Sequence, residues 1–358
     1  MIRNWHKNTK LDFSVVLPTY NRVDVLADCL GALNRQSFSP HRFEVIVVDD
    51  GSVDGTGELC ARHKPRHEFH YLQQKNGGAG AARRLGVECA RSKYLLLIND
   101  DTIASRDLLT QHLEMQRAHA GEKIAILGQF KYPEAAKKRA LTWFLSSQPF
   151  LFPQVGLKAG VYTNHSFFIT CNISVRRDLV SAAGNFDANF RVAEDTELGV
   201  RLMRKGLQVI YAPGIEAIHE HLDFRLADLI GRAQVYGEVL VKLFKKHPDL
   251  LGDGKGVLGT LDAKSLGKID SFIAEHEAEI PAAMESLAKF DSIDFLPFFS
   301  KELDGKNAAE AVIELFTRSI PVVYWYHLFK SFLAARDAEL NSTPASANRD
   351  LIAERADA

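Results

Sequence analysis

The sequence predicts an α/β fold in which a mostly parallel sheet is flanked by helices and followed by a helical C-terminal extension. Two patterns predict the sheet. Short apolar runs alternate with helical patterns through residues 13–103, which is typical of βαβ units. Polar residues follow the apolar runs, at the position where open parallel sheets bind their ligands. We therefore expect a doubly wound domain whose site lies at the carboxyl ends of the strands.

Four strands are predicted in this first part of the chain. They are Phe13–Pro18, Phe43–Val48, Phe69–Leu72 and Tyr94–Ile98. The last of them is an unbroken run of large apolar residues, which predicts a strand buried on both faces. Each strand is followed by a turn and a helical pattern, so neighbouring strands are expected to run in the same direction.

The second part of the chain completes this domain and then changes character. Ser166–Thr170 and Gln208–Pro213 are predicted strands, and a helix is predicted to open at Ala193. From Asp223 the pattern is helical, with a glycine-rich break at 252–259. Further helical segments are predicted at 262–279, 282–290, 308–318 and 321–339.

Charge and cysteine content exclude several classes of protein. The 44 lysines and arginines balance the 45 aspartates and glutamates, which argues against nucleic acid as a partner. The four cysteines lie far apart without metal-ligand spacing, which fits a reducing cytosol. Met1–Lys10 is polar and unlike a secretory signal, and no stretch of about 20 apolar residues could span a bilayer. We therefore expect a cytoplasmic protein.

Two pairs of adjacent carboxylates are the most informative polar residues. Asp100 and Asp101 follow the fourth strand, and Asp49 and Asp50 end the second. Adjacent carboxylates repel each other unless a cation or a set of hydroxyl groups holds them. One pair alone could be a polar turn that caps the next helix. Two pairs at two strand ends favour a crevice for a nucleotide and a divalent cation, where Tyr20 could stack on the base.

A series of motifs in fixed order makes this prediction more specific. The motifs are Pro18-Thr19-Tyr20-Asn21-Arg22, Val47-Val48-Asp49-Asp50-Gly51-Ser52 with Asp54-Gly55-Thr56, Ala82-Arg83 with Gly86, and Asn99-Asp100-Asp101. In order, spacing and context the chain resembles the family 2 glycosyltransferases. This resemblance implies a GT-A fold, which is Rossmann-like, and an enzyme that uses a nucleotide-sugar donor and usually inverts the anomeric carbon.

The resemblance also implies roles for individual residues. Asp195, in Ala193-Glu194-Asp195-Thr196, matches the catalytic base of the family, and Glu194 is its neighbour in the site. Taken alone, both could simply complement the dipole in the first turn of a helix. The residues assigned to the donor are Pro18, Thr19, Tyr20, Asn21, Arg22, Asp50, Arg83 and Asp100.

The metal site is expected to combine a carboxylate with an imidazole. Asp101 and His219 match the family's metal ligands, and His221 is a second candidate for the imidazole. A lone histidine beside a strand is otherwise more often structural. Oxygen ligands with one imidazole fit Mn²⁺ or Mg²⁺, and the mixed set favours Mn²⁺.

Two positions depart from the family pattern. The family commonly has Arg-Asn where this chain has Arg83-Arg84, and the second arginine could either contact a phosphate or line the surface. The family often has an apolar residue or aspartate at the position of Asn99.

Two aromatic segments have more than one interpretation. Lys131–Thr163 mixes basic residues with aromatic ones (Trp143, Phe144, Phe150, Phe152), and it is either a mobile acceptor loop near a lipid surface or a packed insertion. Tyr324-Trp325-Tyr326 with Phe329 is either core or a stripe at a membrane interface, and core is the commoner case.

These inferences define the expected organisation. Residues 1–12 form a tail, 13–103 a nucleotide-sugar half, 104–222 an acceptor half, 223–340 a helical region, and 341–358 a disordered tail. The helical region could serve an oligomer interface, and a peripheral contact with the inner face of the membrane stays open.

The expected function is inverting sugar transfer from a nucleoside-diphosphate sugar, with UDP as the default, to an acceptor hydroxyl. The family favours a glycan or glycolipid acceptor in the synthesis of polysaccharide, lipopolysaccharide or glycolipid at the cell surface. A non-catalytic nucleotide-sugar-binding or scaffold protein is the alternative. A nucleotidyltransferase is disfavoured, because it would carry a glycine-rich loop with a basic residue where this chain has Thr19-Tyr20-Asn21.

Overall fold

The computed structural model describes residues 11–133, 139–147, 156–220, 225–251, 263–290 and 305–342. These residues form two compact units. One contains the described residues between 11 and 220 except 139–144. The other contains 139–144 and the described residues from 225 onward. The first unit carries the sheet, and the second is helical.

The first unit is built on a sheet of nine strands. The strands are β1 (Phe13–Thr19), β2 (Phe43–Asp49), β3 (Glu68–Gln73), β4 (Tyr94–Ile98), β5 (Thr102–Ala104), β6 (Ile124–Lys131), β7 (Gly160–Tyr162), β8 (Asn172–Arg176) and β9 (Gln208–His219). Their order across the sheet is β3-β2-β1-β4-β8-β6-β9-β5, and β7 pairs with β9.

The described helices follow the chain in the same way. They are α1 (Val23–Asn34), α2 (Thr56–Arg62), α3 (Ala79–Cys89), α4 (Leu108–Ala118), α5 (Ala140–Ser147), α6 (Arg177–Ala182), α7 (Glu194–Arg204), α8 (Leu226–Lys246), α9 (Ala263–His276), α10 (Ile280–Ala288) and α11 (Gly305–Ser342). None of these helices has an apolar run long enough to cross a membrane.

Most strands of the sheet run in one direction. The pairs β1–β2, β2–β3, β1–β4 and β6–β9 are parallel. β8 lies between β4 and β6 and is antiparallel to both, so β6 and β9 point the same way as β4. The carboxyl ends of β1, β2, β4 and β9 therefore meet at one edge of the sheet, where we look for the site. The predicted α/β fold class with a mostly parallel sheet is confirmed.

Each face of the sheet is covered by an apolar core. Phe13, Val15 and Leu17 point to one face and pack with α1 and α4. Val16 points to the other face and packs with α3 and α7. Two-sided burial explains why β4 has no polar residue along its length. Helix α3 approaches this sheet closely, since a Cβ added at Gly86 would lie 2.4 Å from Val16 Cγ1.

The predicted strand at Ser166–Thr170 is wrong. This stretch contains a 3₁₀ turn at His165–Phe167, and the strand β8 follows it. The polar residues Asn172 and Ser174 of β8 are fully buried. Burial is tolerated because Asn172 Oδ1 and Ser174 Oγ hydrogen-bond to the two ring nitrogens of His112 at 2.9 and 3.0 Å. A strand with polar residues facing the core does not show the apolar alternation that sequence patterns rely on.

The helical unit also differs from prediction in one respect. Two segments are predicted on either side of Ile320, but α11 is a single helix with Pro321 inside it. Proline removes one helical hydrogen bond, and burial of the adjoining side chains opposes that cost, since Ile320 and Val323 are fully buried. Within the expected tail, residues 341 and 342 end α11, and 343–358 lie outside the described residues.

The aromatic residues of the helical unit favour the core interpretation. Tyr324 and Tyr326 are buried, and Trp325 stacks on Phe329 with ring centroids 5.5 Å apart. Phe144 is buried in α5, and its ring meets that of Phe316 edge to face with centroids 5.7 Å apart. This part of Lys131–Thr163 is therefore packed, while Phe150 and Phe152 lie outside the described residues.

A buried carboxylate stabilises the amino ends of the parallel strands. Glu44 in β2 accepts hydrogen bonds from Ser14 Oγ at 2.6 Å and from the Arg91 guanidinium at 2.6 and 3.0 Å. Its Oε2 also lies 3.3 Å from His70 Nε2. Burial acts to raise the pKa of this carboxyl, but the hydrogen bonds from His70, Ser14 and Arg91 outweigh burial and lower the pKa to about 2.

We predict that Glu44→Gln lowers stability in a pH-dependent way. The folded-state pKa is below the unfolded value, so the ionised carboxylate stabilises the fold above about pH 4.5 by about 3 kcal/mol. This contribution is lost as the pH falls from about 4.5 to about 2. Urea denaturation of wild type and variant across pH 2.5–7 checks the trend. The exposed control Glu88→Gln should change stability by less than about 1 kcal/mol throughout. A constant difference between wild type and Glu44→Gln would contradict the prediction.

Candidate active site

The turn that follows β1 and the turn that follows β2 are joined by hydrogen bonds at the edge of the sheet. Asn21 adopts a left-handed backbone conformation with φ of 51°, which asparagine tolerates better than most residues. Its N–H donates to Ser52 Oγ at 2.8 Å, and its Oδ1 accepts from Val53 N at 2.8 Å. Tyr20 beside it is 47% exposed, so its ring is accessible to a ligand.

Asp50 holds the loop that precedes α3. Its Oδ1 accepts from Gln74 Nε2 and Gly77 N at 2.7 and 2.8 Å, and its Oδ2 accepts from Gly78 N at 2.7 Å. The carboxylate is buried. These contacts fix the backbone of the glycine loop next to the site, and a contact of Asp50 with the donor stays a prediction.

The second pair of carboxylates is bound by one arginine. Arg22 Nη1 donates to Asp100 Oδ1 at 2.7 Å, and Arg22 Nη2 donates to Asp101 Oδ2 at 2.8 Å. Thr19 Oγ1 donates to the other oxygen of Asp100 at 2.9 Å. Burial raises the pKa of Asp100 to about 6; Arg22 acts in the opposite direction, and Asp101 reinforces the rise. The structure thus brings together Thr19, Arg22, Asp100 and Asp101, which are all predicted site residues.

Strand pairing places His219 beside Asp101. β5 begins directly after Asp101, and its first residue, Thr102, pairs with His219 at the end of β9. His219 Nε2 consequently lies 3.4 Å from Asp101 Oδ1. His221, the second candidate, lies outside the described residues.

This pair fits a divalent cation. Neighbouring ligands with bonds near 2.1 Å to one ion lie about 3 Å apart, which is close to the observed separation. Asp101 Oδ1 is buried and accepts no hydrogen bond within the described ranges, so it keeps an oxygen for an ion. Carboxylate and imidazole together suit Mn²⁺ or Mg²⁺ with further ligands from phosphate or water.

A second group of potential ligands lies elsewhere. In the described part of the chain, Glu44, Glu68 and His70 offer three ligand atoms within 4.8 Å of one another. They lie at the amino ends of the strands, at the opposite edge from Asp101. Arg91 Nη2 already contacts both glutamates at 2.6 Å, so this group has a counter-cation of its own.

Asp195 lies in the first turn of α7, near the amino end of β8. Ala193 precedes the helix with a φ of 55°, a left-handed conformation that costs a non-glycine residue about 1 kcal/mol or more. Asp195 Oδ2 accepts from Thr170 N and Oγ1 at 3.3 and 3.4 Å, and the side chain is half-buried. Its Oδ1 accepts from Thr196 N at 2.7 Å, so hydrogen bonds orient both oxygens of this carboxylate.

A buried arginine joins the two carboxylate motifs. Arg83 on α3 is 4% exposed; its Nη1 contacts Glu194 Oε1, and its Nη2 donates to Asn99 Oδ1 at 2.6 Å. Asn99 directly precedes Asp100, and Glu194 directly precedes Asp195. Arg83 Nε is buried and has no hydrogen-bond partner among the described residues, and a contact of Arg83 with phosphate stays a prediction. Arg84 has the alternative surface role, with Nε 3.0 Å from Glu88 Oε1.

The comparisons with known proteins can be set against this geometry. Residues 14–183 match the family model described as glycosyl transferase family 2. Over this segment the chain is similar to glycosyl transferase family 2. The resemblance inferred from the motifs is confirmed, and the match includes the Asp100-Asp101 pair but ends before Glu194.

The chain is also similar to enzymes that are named as glycosyltransferases or as a polysaccharide synthase. The chain is 27% identical over 287 residues to validoxylamine A glucosyltransferase of Streptomyces hygroscopicus subsp. limoneus, covering 71% of this chain and 62% of the relative. It is 28% identical over 239 residues to chondroitin synthase of Escherichia coli, covering 58% of this chain and 34% of that one. The alignments therefore span less than two thirds of these relatives.

A solved structure shares the fold. The mannosyltransferase PcManGT from Pyrobaculum calidifontis, solved with GDP-Man and Mn²⁺, superposes with a TM-score of 0.55. The alignment covers 93% of this chain and 88% of that one, at 17% sequence identity. This similarity confirms the predicted GT-A fold.

Two residues of the candidate site, Thr170 and Cys171, were not predicted from the sequence. Thr170 was placed inside a predicted strand, and its bond to Asp195 crosses 25 positions without a local pattern. Cys171 lies next to it, and Asn99 Nδ2 donates to its sulfur at 3.3 Å. Burial raises the pKa of the Cys171 thiol to about 12, and Asp101 and Asp195 add to the rise. Both aspartates therefore lie near this sulfur.

We predict that Arg83→Met destabilises the domain by about 3–5 kcal/mol, because it leaves the Glu194 carboxylate buried without its cation. Adding Glu194→Gln to the same chain should recover part of the loss, since the remaining group is uncharged. Urea denaturation at pH 7 measures both effects. The neighbouring control Arg84→Met removes a half-exposed pair and should cost less than about 1 kcal/mol. Equal effects of the two arginine variants would contradict the prediction.

Proposed function

We propose that this chain transfers a sugar from a nucleoside-diphosphate sugar to an acceptor hydroxyl, with inversion and with the aid of a divalent cation. The observation that carries the proposal is the arrangement at one sheet edge. A carboxylate–imidazole pair that fits a cation, Asp101 and His219, lies near Cys171, and so does the half-buried Asp195. A cation stabilises the leaving group of the donor, and a carboxylate can remove the proton of the acceptor hydroxyl.

Donor binding belongs to residues 13–103 in this proposal. The exposed ring of Tyr20 stacks on the base, and Pro18, Thr19, Asn21 and Asp50 shape the surrounding turns. Asp100 binds the ribose or donor sugar. Asp101 and His219 would hold Mn²⁺ or Mg²⁺, and such an ion would stabilise negative charge on the departing diphosphate.

Residues 104–222 serve the acceptor. Asp195 removes the proton from the acceptor hydroxyl as that oxygen attacks the anomeric carbon from the face opposite the leaving group. A single displacement of this kind inverts the configuration. Thr170 orients Asp195, and the buried contact of Glu194 with Arg83 fixes the start of the helix that carries the base.

A hexose is the favoured sugar. Validoxylamine A glucosyltransferase and the mannosyltransferase PcManGT are both named for hexosyl transfer, whereas the name of chondroitin synthase does not specify the sugar. UDP is the default nucleoside diphosphate of the donor, with GDP and dTDP as alternatives. The acceptor class proposed here is a glycan or glycolipid of the cell surface.

Thermal stabilisation by nucleotides tests the donor site. We expect one of UDP, GDP and dTDP to stabilise the full chain more strongly with Mn²⁺ than without it. At about 100 times its dissociation constant, a ligand that binds only the folded state adds roughly 2.7 kcal/mol of stability. The melting temperature with each nucleotide, with and without Mn²⁺, is the measurement. No shift with any nucleotide would count against a donor site and favour a non-catalytic relative.

Asp195→Asn tests the base. Because the amide cannot accept the proton, we expect the transfer rate to fall by roughly 100-fold or more, while nucleotide binding with Mn²⁺ is retained. Release of nucleoside diphosphate in the presence of acceptor and thermal shift measure the two properties. Asp178→Asn, which alters a surface carboxylate paired with Arg176, is the matched control and should keep full activity. Unchanged transfer in Asp195→Asn would remove this residue from the mechanism.

A further inference from the structure

Arg22 occupies a position that bears on how the cation and the donor bind. It directly precedes α1, and its side chain reaches from the rim with about a third of its surface exposed. Its two terminal nitrogens contact two different carboxylates, those of Asp100 and Asp101, which are nearly buried. A partly exposed cation thus holds two buried anions, and it can leave for solvent or for another ligand without unpacking the core.

The charges around Arg22 disfavour a cation bound alone. Two carboxylates and one guanidinium leave a net charge of minus one. A divalent ion on Asp101 and His219 would make this group net positive, with the ion and the guanidinium bound to the same carboxylate. Asp101 Oδ2 binds Arg22, while Oδ1 faces His219 Nε2 at 3.4 Å. Like charges so close in a poorly solvated site repel strongly.

The number of protein ligands points the same way. Asp101 Oδ1 and His219 Nε2 are the two ligand atoms that the described residues bring together at this edge. Mg²⁺ and similar ions bound by one or two protein groups depend on substrate phosphates for the rest of their coordination. A diphosphate would supply those ligands, and its negative charge would also give Arg22 a new bidentate partner.

We propose that Arg22 couples the binding of the divalent cation to that of the nucleoside diphosphate. In the donor-free protein its guanidinium holds Asp100 and Asp101 and opposes cation binding. When cation and diphosphate bind together, the guanidinium moves from the carboxylates to the phosphate oxygens. This inference rests on the proposed function, because it takes the nucleoside diphosphate as the ligand.

The coupling has a measurable signature in binding. Thermodynamic linkage requires that Mn²⁺ strengthens nucleotide binding by the same factor as the nucleotide strengthens Mn²⁺ binding. Arg22→Gln removes the charge, so it should bind Mn²⁺ on the order of tenfold more tightly than wild type without nucleotide. Its nucleotide affinity in saturating Mn²⁺ should fall, and the effect of Mn²⁺ on nucleotide affinity should shrink by a similar factor.

The experiment uses the full chain and two probes. Electron paramagnetic resonance of free Mn²⁺ gives the Mn²⁺ affinity of the nucleotide-free protein. Calorimetric titration with the nucleotide that gives the largest thermal shift, in EDTA and in saturating Mn²⁺, gives the coupling factor. Arg42→Gln is the matched control, because Arg42 is similarly exposed and paired with Asp12 but lies beside the amino end of β2. It should match wild type in both measurements.

Arg22→Lys gives a second variant, which keeps a positive charge that cannot bridge both carboxylates. It should bind Mn²⁺ more weakly than Arg22→Gln does. If the wild type binds nucleotide but Arg22→Gln has the same Mn²⁺ affinity as the wild type, the coupling is overturned and the proposed function is left intact. If Arg22→Lys binds Mn²⁺ as tightly as Arg22→Gln or more tightly, the positive charge at position 22 does not oppose the cation and the proposal is overturned. Absence of nucleotide binding in the wild type would contradict the proposed function and the coupling together.

Discussion

The buried ion pair between Arg83 and Glu194 is the interaction on which the candidate site depends most. A guanidinium that is almost inaccessible to water has lost most of its hydration, so it persists only where partners replace that water. Arg83 finds one partner on α7 and another, Asn99, at the end of β4. The residues that follow these partners are Asp195 and Asp100. The spacing between the proposed base and the proposed donor residues is therefore set through one side chain.

The same contact explains a departure from the family pattern. With Glu194 already supplying a negative charge to Arg83, a second carboxylate at position 99 would have to share the cation. The amide oxygen of Asn99 accepts from Arg83 Nη2 without adding charge, and its amide nitrogen donates to Cys171. The asparagine is thus compatible with its neighbours in a way that the linear motif does not show.

The sequence predicted those parts of the molecule that depend on local pattern. β4 was predicted within its observed bounds, because a strand covered on both faces needs only apolar side chains. The position of Asp100 and Asp101 at the carboxyl end of β4 followed from the predicted parallel strands, whereas their contact with Arg22 was not predicted. β8 was missed because its buried polar residues are matched by His112, sixty positions away. The pairing of Arg83 with Glu194 spans 111 positions and has no local pattern either. Pro321 suggested a break between two helices, but α11 continues through this residue.

The reversed direction of β8 has a consequence for how such a site can diversify. Because β8 runs against β4, the segment that enters β8 reaches the same sheet edge as the segments that leave β1, β2 and β4. Thr170 and Cys171 arrive from that entering segment, whereas Asp50 and Asp100 arrive from the leaving ones. Insertions or deletions ahead of β8 can therefore remodel one wall of the crevice while the opposite wall keeps its length and register. During evolution the proposed acceptor could therefore change while the half of the site proposed to bind the nucleotide sugar is kept.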